Sequence, residues 1–400
     1  MKRNPAIRLL LSLLAVALLA IGLAPAVAPT GAHAATKPPV KVKLDAKPYT
    51  TGGAFPYDIA VSPKNGNLYV LDHGKSLVSV LNAKTGKQIA KIKLTNAKIV
   101  EPNAIVAVGS KLYVLDGYRD RLYIISATKN KVVGTVKINT TANFDEPETL
   151  VASRDGKYLY IGAHISNRIL VFDIAKKKVT HRYDISAALK AFPADAGVTG
   201  TQVVDIETSD NGRYLYLSLM TTFAVDTFSS VAVYDTKAKK VTAVESSEEH
   251  PIGVPNTEFY DLLNVGGDKV YRSVSTETTD GHPFYVEVLD LSNPKKIKSV
   301  DTIPMPKNNI PYMMLYSHGY VFVSNPDNDG FTKYLPSPDT VQIIDTHKKG
   351  KKAVVGSFHS KTSELLVGAL SKNGKTAYFI NGGSLDKGWK GLVTVAHFTF

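Results

Sequence analysis

The chain has 400 residues, with 48 Lys and Arg against 35 Asp and Glu, and it contains no cysteine. The missing thiols exclude disulfides, a thiolate metal site, a cysteine nucleophile and the lipidated cysteine that tethers a bacterial lipoprotein. The formal charge of +13 favours anionic partners, and the length is ample for a large buried core.

Residues 1–35 are predicted to be a secretory signal peptide. Lys2 and Arg3 begin a positive segment, residues 9–23 are apolar, and an Ala-His-Ala cleavage site ends at Ala34. The apolar run is short for a membrane span, and no later run is long enough, although an uncleaved anchor is the alternative. We therefore expect a secreted protein, either extracellular or non-covalently associated with the cell surface.

One pattern recurs seven times in residues 36–400. It consists of an apolar run, a Ser/Asp/Asn/Gly turn, an aromatic strand, a variable loop, a strand ending near Asp and a Lys-rich turn. The aromatic strands are centred on Tyr69, Tyr113, Tyr160, Tyr216, Tyr271, Phe322 and Tyr378. A repeat of about 40–50 residues with four short strands is typical of a propeller blade. The sequence thus predicts one all-β domain, a seven-bladed β-propeller with four-stranded antiparallel blades.

The third repeat shows the pattern most clearly. Residues 149–152 are short and apolar, so we expect this first strand to be buried on both faces. The turn 153–156 follows, and three further strands are predicted over 157–161, 168–173 and 179–183. Turn residues between such short strands indicate antiparallel hairpins.

The last repeat has only three strands, over 365–370, 376–380 and 392–398. Residues 40–44 supply a spare strand ahead of the first repeat. Pairing this strand as the outer strand of the last blade would close the ring and leave no unpaired join. Six or eight blades are the alternatives if one divergent repeat has been miscounted, and a single short helix is predicted over 185–192.

Residues 153–162 with 169–173 resemble the YVTN-type repeat, in which a Ser-x-Asp-Gly turn precedes a Tyr-containing strand and a second strand ends in Asp. Residues 210–217 with 231–235 repeat the match. The resemblance covers almost all of the mature chain and implies a propeller like those of surface-layer, lactonase-like and other secreted proteins. A WD-type repeat is disfavoured because Trp389 is the only tryptophan.

Lysines recur in the turns between the third and fourth strands of six repeats, and we call the side of the propeller that carries them the lysine-rich face. They are Lys84 and Lys87; Lys129 and Lys131; Lys176, Lys177 and Lys178; Lys237, Lys239 and Lys240; Lys295, Lys296 and Lys298; and Lys348, Lys349, Lys351 and Lys352. Such a ring attracts anionic polymer, such as a wall polymer or an anionic lipid surface, whereas nucleic acid is not expected for an exported chain without interleaved aromatics. The alternative is that the lysines only keep the blade edges soluble.

The opposite side, called here the loop face, carries the blade starts and the loops between the second and third strands. These loops are long in the last four repeats, over 221–229, 276–284, 325–339 and 381–390. Because the seven blade starts converge on one axis, we expect a ligand site at the central opening. Its candidate residues are Tyr57, Asp58, Asn103, Glu148, Asp205, Glu258 and Tyr312.

Two functions remain open. The first is an exported, non-catalytic propeller that binds a protein, a glycan or another cell-envelope component through the loop face. The second is a secreted, lactonase-like hydrolase with a Ca²⁺ or Mg²⁺ ion in the central channel. Its candidate metal ligands are Asn103, Glu148, Asp205 and Glu258, and its candidate proton acceptors are His73 and His164. No serine nucleophile elbow, phosphate loop or dinucleotide fingerprint occurs in the sequence.

Overall fold

The computed structural model describes residues 40–400 apart from residues 54, 74, 97–101, 139–146, 164–165, 192–200, 223–226, 246–256, 277–283, 307–310, 326–339, 361–364 and 382–390. The predicted signal peptide lies outside the described residues. Within them, 29 strands form seven antiparallel sheets, and in the first six sheets four consecutive strands follow one another. These sheets are the blades of a seven-bladed β-propeller, which confirms the predicted fold.

The strands follow the chain in order, blade by blade. Two strands precede blade 1: β1 (Lys41–Leu44) and β2 (Tyr49–Thr50). Blades 1 to 3 are β3 (Pro56–Val61), β4 (Leu68–Asp72), β5 (Leu77–Leu81) and β6 (Gln88–Lys93); β7 (Pro102–Val108), β8 (Lys111–Asp116), β9 (Arg121–Ser126) and β10 (Lys131–Lys137); and β11 (Pro147–Ala152), β12 (Tyr158–Ala163), β13 (Arg168–Asp173) and β14 (Lys178–Asp184). Blades 4 to 6 are β15 (Gln202–Thr208), β16 (Tyr214–Thr222), β17 (Thr227–Asp235) and β18 (Lys240–Val244); β19 (Thr257–Asn264), β20 (Lys269–Thr276), β21 (Tyr285–Asp290) and β22 (Lys298–Pro304); and β23 (Met314–Ser317), β24 (Tyr320–Asn325), β25 (Thr340–Asp345) and β26 (Val354–His359). Blade 7 contains β27 (Leu365–Leu370), β28 (Thr376–Asn381) and β29 (Leu392–Thr399).

The N-terminal strand completes blade 7, as predicted. Strand β1 pairs antiparallel with β29, with Lys41 opposite Thr399 and Leu44 opposite Ala396. Strand β2 lies beside the other end of β29. The first and last strands of the domain therefore share one blade, and the ring is closed by hydrogen bonds that leave β29 without an open edge.

The first strands of the blades contact one another around the ring, so they line its centre. Their burial is mixed: β11 is mostly half-buried, whereas β12 and β13 are almost fully buried between neighbouring blades. The expectation that residues 149–152 are buried on both faces was therefore wrong. Position in the ring explains this, because the innermost strand has the central channel on one side while the second and third strands have a blade on each face.

The Ser-x-Asp/Asn-Gly turn is built by its serine. In blade 3 the Ser153 hydroxyl donates to Asp155 at 2.7 Å and accepts the Tyr158 N–H at 2.9 Å. Gly156 has a φ of 67°, which glycine adopts without strain. Ser209 and Ser371 make the same pair of contacts in blades 4 and 7, with Asn211 and Asn373 in place of the aspartate.

The aspartate that ends the third strand caps the following turn. The Asp173 carboxylate accepts the Lys176 N–H at 2.8 Å, and Asp235 accepts two N–H groups of its own turn at 2.9 Å. This bonding fixes the tight turns that present the lysines of blades 3 and 4, and the Asn82 side chain does the same in blade 1. All the lysines that define the lysine-rich face have exposed side chains.

The predicted short helix is a 3-10 helix over Ser186–Ala191, and among the described residues no helix is long and apolar enough to cross a membrane.

Candidate functional site

Asp58 links two blades at the central channel. Its position follows a bulge in β3, and one carboxylate oxygen accepts the N–H of Ile59 at 2.7 Å. The other oxygen accepts the N–H of Ile105, in the first strand of blade 2, also at 2.7 Å. The predicted ligand residue thus lies at the channel, but both of its oxygens are bonded to backbone N–H groups.

Asp205 and Asp261 occupy the equivalent position in blades 4 and 5. Asp205 accepts the N–H of Ile206 and, at 2.8 Å, that of Leu262 in the next blade. Asp261 accepts the N–H of Met314 in blade 6 at 2.6 Å. The other four blades carry Ala104, Thr149, Met313 and Val367 at this position. Three of the seven junctions therefore have a carboxylate that bonds the next innermost strand.

Burial changes the acidity of these channel groups. It raises the pKa of Asp58 to about 7 in spite of the two N–H donors, which act in the opposite direction. Burial, followed by the nearby charge of Asp205, raises the pKa of Glu207 to about 8. Carboxyl groups that remain protonated near neutral pH are able to donate a hydrogen bond as well as accept one.

Asp205 and Asp261 form a hydrogen-bonded carboxyl pair. Burial is the largest cause that raises the pKa of both groups, and the charge of Asp205 further raises the pKa of Asp261. Glu207 adds to the repulsion from the same strand as Asp205. Two neighbouring carboxylates in a poorly solvated site cannot both ionise cheaply, so the pair holds a proton.

A fully buried ionic cluster lies at the same junction of blades 4 and 5. The Arg272 guanidinium donates to both oxygens of Glu245, at 2.6 and 2.7 Å, and to Glu287. The Arg272 side chain is only 1% exposed. Burial alone would lower the pKa of Arg272, but the two carboxylates outweigh it and raise that pKa. Because Glu245 follows the outer strand of blade 4, the cluster ties that strand to the interior of blade 5.

Tyr57 and His73 belong to an aromatic group at the start of blade 1. Tyr57 is 41% exposed, and its ring lies 5.3 Å from the His73 ring and 6.4 Å from that of Phe55. Nδ1 of His73 lies 3.3 Å from the carbonyl oxygen of Pro102. His73 is therefore placed between rings and backbone, with no carboxylate among its described partners.

Asn103 and Glu148 lie in neighbouring innermost strands. The Asn103 side-chain N–H donates to the carbonyl of Pro147 at 3.1 Å, which places it against the residue before Glu148. Oδ1 of Asn103 is buried and has no hydrogen-bond partner within the described part of the chain. The Glu148 side chain is exposed. Among the predicted metal ligands whose side chains are described, Asn103 has an unused oxygen, and Glu148 lies in the neighbouring innermost strand.

The remaining candidates are Tyr312, Glu258 and His164. The half-buried Tyr312 uses its backbone, with its N–H bonded to Ser324 and its carbonyl accepting from Ser273. For Glu258 the structure describes the backbone in β19 but not the side chain, and His164 lies outside the described residues. Across the residues that are described, no group of three or more His, Cys, Asp or Glu side chains is arranged to hold a metal ion.

Sequence reasoning missed five charged residues of this region: Glu207, Glu245, Asp261, Arg272 and Glu287. A repeat-by-repeat alignment would have found Asp261, since it shares its position with Asp58 and Asp205. Arg272 also left a signal, because it stands in an aromatic strand whose counterparts in the other repeats are apolar at that position. A charge there requires a buried partner.

The comparisons with known proteins agree with the fold. No known protein family and no curated protein matches the chain in sequence. Among solved structures the chain is similar to hydrazine synthase of Kuenenia stuttgartiensis, with a TM-score of 0.63, 17% identity and coverage of 86% of this chain and 96% of that one. It is also similar to the Cps50 (Swd1) β-propeller domain of Myceliophteria thermophila, with a TM-score of 0.59, 11% identity and coverage of 89% and 99%. The Pan2 WD40 domain of Neurospora crassa gives a TM-score of 0.56 at 12% identity, with coverage of 88% and 96%. At these identities the likeness shows the fold alone: the chain is a seven-bladed β-propeller.

Proposed function

We propose that this chain is an exported, non-catalytic β-propeller of the YVTN-repeat type. Its loop face binds a protein, a glycan or another cell-envelope component, and its lysine-rich face attracts anionic polymer. The observation that carries the proposal is the bonding of the channel acids. Asp58 and Asp205 hold neighbouring blades together, so the residues most suited to chemistry at the channel serve the scaffold instead.

The loop face offers a binding surface at blade 1. Tyr57 is exposed, and its ring is held by contacts with His73 and Phe55. A rigid aromatic ring at the surface supplies contact area at a low cost in conformational entropy, and such residues are enriched among those that dominate binding. Replacement of Tyr57 by Ala is therefore expected to weaken binding at this face while leaving the blade intact.

The lysine-rich face supplies a one-sided positive field. Its lysines are exposed in six of the seven blades, at turns that are capped by Asp173 in blade 3, by Asp235 in blade 4 and by Asn82 in blade 1. Ammonium groups arranged in this way attract a polyanion through long-range electrostatics without a specific pocket for each charge. The attraction is expected to weaken as salt screens it.

The test measures binding of the mature chain, residues 36–400, to immobilised poly(glycerol phosphate), with neutral dextran as the reference polymer. Blades 1 and 2 offer a matched pair of variants. Lys84→Glu with Lys129→Glu reverses two charges on the lysine-rich face, and Lys93→Glu with Lys137→Glu reverses two exposed charges at the opposite ends of the same blades.

The first variant is expected to weaken binding by about ten-fold or more, and the second by much less. Binding of the unaltered chain should fall steeply between roughly 50 and 300 mM salt. Equal effects of the two variants, or binding that does not depend on salt, would overturn the electrostatic role of the lysine-rich face. Failure to bind any polymer, glycan or envelope protein would overturn the proposal as a whole.

The second candidate function is the lactonase-like, metal-assisted hydrolase. The buried Oδ1 of Asn103, which accepts no hydrogen bond from the described residues, favours it, since a hard cation takes amide and carboxylate oxygens and Glu148 lies in the neighbouring strand. Calorimetric titration with Ca²⁺ and with Mg²⁺ tests it. Tight uptake that is lost in Asn103→Ala and Glu148→Ala, together with turnover of a lactone or ester, would replace the binding proposal.

A further inference from the structure

A groove on the lysine-rich face lies between blades 3 and 4. Its volume is about 460 Å³, which is within the usual range for small-molecule sites. Strands β12 and β14 provide one wall, with Tyr158, Tyr160, His181 and Tyr183. The turns of blade 4 provide the other wall and include Lys237 and Lys239.

Tyr160 places an unused hydroxyl at the groove. Its side chain is only 5% exposed and lines the groove, and no residue within the described ranges forms a hydrogen bond with its hydroxyl. Burial, with the neighbouring Tyr183 and Asp155, raises the pKa of Tyr160 to about 12, so the group stays protonated and able to donate. Since this hydroxyl opens into the groove, a ligand bound there can take its hydrogen bond in place of water.

The same position is closed at another junction of this chain. Tyr69 is the counterpart of Tyr160 in blade 1, and its hydroxyl bonds the Asn130 side chain at 2.7 Å and the Ala127 carbonyl at 3.0 Å. In blade 4 the residue that corresponds to Asn130 is Lys239: both have a left-handed φ, 47° and 55°, and the same turn hydrogen bond. The side chain that would fill the groove is therefore replaced by a lysine.

The walls of the groove are flat and fixed. The Tyr183 ring stacks on Tyr234 with centroids 4.8 Å apart, and the His181 ring lies 6.2 Å from Tyr183. The Tyr183 hydroxyl donates to the Thr236 carbonyl at 3.5 Å. Rings held in this way present an apolar face with polar edges, which suits the C–H face of a sugar ring.

The charge at the rim is positive. Lys237 and Lys239 are exposed, and neither forms an ion pair with any residue that the structure describes. The one acid that lines the groove, Asp155, is 3.1 Å from Lys157 and accepts from the Ser153 hydroxyl. Two free ammonium groups therefore face a ligand whose own charge should be negative.

We propose that this groove binds an anionic sugar unit, a single saccharide ring that carries a carboxylate or a phosphate. The ring packs against Tyr158 and Tyr183, a sugar hydroxyl bonds the Tyr160 hydroxyl, and the anion lies between Lys237 and Lys239. The inference deepens the proposed function, on which it rests for the envelope setting, by naming the ligand class that the lysine-rich face takes.

Calorimetric titration of the mature chain with four probes tests the ligand class: glucuronate, glucose 6-phosphate, glucose and inorganic phosphate. The two anionic sugars are expected to bind saturably and at least about ten-fold more tightly than glucose or phosphate. Glucose lacks the anionic group that the lysines would bind, and phosphate lacks the sugar ring that would pack on the tyrosines. Equal binding of phosphate and glucose 6-phosphate would overturn the sugar site and indicate plain charge attraction.

Two pairs of variants locate the site. Tyr160→Phe keeps the ring and removes the unused hydroxyl, so a loss of about three- to ten-fold is expected, while the matched Tyr69→Phe should leave binding unchanged. Lys237→Gln with Lys239→Gln should lower glucuronate affinity about ten-fold and flatten its salt dependence, whereas Lys295→Gln with Lys298→Gln on blade 5 should not.

Unchanged glucuronate affinity in Tyr160→Phe, or equal losses from the two lysine pairs, would show that the groove is not the binding site. If poly(glycerol phosphate) still binds in that case, the proposed function stands without the groove; if that polymer does not bind either, the role of the lysine-rich face in attracting anionic polymer falls as well.

Discussion

The carboxyl of Asp261 hydrogen-bonds the carboxyl of Asp205 across the junction between blades 4 and 5. Each carboxyl also accepts a backbone N–H from the following blade, at 2.8 Å for Asp205 and 2.6 Å for Asp261. One proton shared between two buried carboxyls thus helps to hold three consecutive innermost strands. Closure of this part of the ring is expected to depend on pH.

The variant Asp261→Asn tests that dependence. In the folded chain the pKa of Asp261 is raised, mainly by burial, so the folded state retains a proton that the unfolded chain has lost. The resulting stability is complete below the ordinary Asp pKa and is lost as pH rises through the raised value. Asn keeps an oxygen for the Met314 N–H and an N–H for Asp205 at every pH. In urea denaturation we expect the stability of the variant relative to that of the parent to increase from pH 5 to pH 8, by on the order of 1 kcal/mol.

Asp155→Asn is the control for this experiment. Its carboxylate pKa is lowered, chiefly by the Ser153 hydroxyl, so its contribution has the opposite sign and is lost at low pH. Blades 4 and 7 already carry Asn at this position of the turn, as Asn211 and Asn373. The change should alter stability by less than about 0.5 kcal/mol between pH 5 and 8. A parent chain whose stability is flat over that range would contradict the shared proton.

Arg272→Met is expected to be severely destabilising. It leaves Glu245 and Glu287 buried at 5% and 0% exposure without their guanidinium partner, and loss of one partner from a buried ion pair costs about 3–5 kcal/mol. Chemical denaturation of the parent and the variant measures the difference.

Two further variants test whether the loss of stability in Arg272→Met comes from leaving buried carboxylates without a partner. Combining Arg272→Met with Glu245→Gln and Glu287→Leu should recover most of the loss, because no uncompensated charge then remains. Arg213→Met breaks a pair with Asp235 in which the arginine is 46% exposed, and it should cost about 1 kcal/mol or less. If Arg272→Met denatures like the parent, the cluster has no structural role.

Ser153→Ala tests the turn that opens the second strand. The change removes the bonds to Asp155 and to the Tyr158 N–H, so a loss of about 1–2 kcal/mol is expected, with a similar loss for Ser209→Ala. Ser110 lies in the corresponding turn of blade 2 and is exposed, without a side-chain hydrogen bond to any described residue, so Ser110→Ala should be nearly neutral. Thermal denaturation compares the three. Equal shifts for all of them would mean that the serine hydroxyl does not build the turn.

The regular part of the blades could be predicted from sequence because local chemistry determines it. The turn formed by Ser153 and Gly156, the buried aromatic strand and the capping Asp173 act within a few residues of one another. The spare strand at 40–44 was also predictable, since a closed ring needs a fourth strand in the last blade.

The candidate site was less predictable because its partners are backbone groups of other blades. Asp58 and Asp205 were predicted as ligand residues at the channel, but the N–H groups of Ile105 and Leu262 that bond them leave no trace in the sequence. Asp261 was missed because Glu258 was taken as the start of that blade, although Asp261 shares its position with Asp58 and Asp205. The long loops of the loop face lie largely outside the described residues, and residues 221–222 and 227–229 of the predicted blade 4 loop are paired strand instead.

Removal of residues 1–46 tests how strongly the ring depends on its N-terminal strand. Val40, Val42 and Leu44 pack with the cluster that contains Phe322 and Phe398, whose rings stack at 4.1 Å. Loss of this apolar contact and of the pairing with β29 should cost about 3 kcal/mol or more, and the exposed edge of β29 should promote association. A variant that begins at Lys37 is the control.

Adding a peptide of residues 37–47 should raise the melting temperature of the shortened chain in proportion to the logarithm of peptide concentration, because only the folded ring binds it. If the shortened chain has the same melting temperature as the control, β1 does not close the ring. The same conclusion follows if a peptide carrying Val42→Pro raises the melting temperature as much as the natural peptide does.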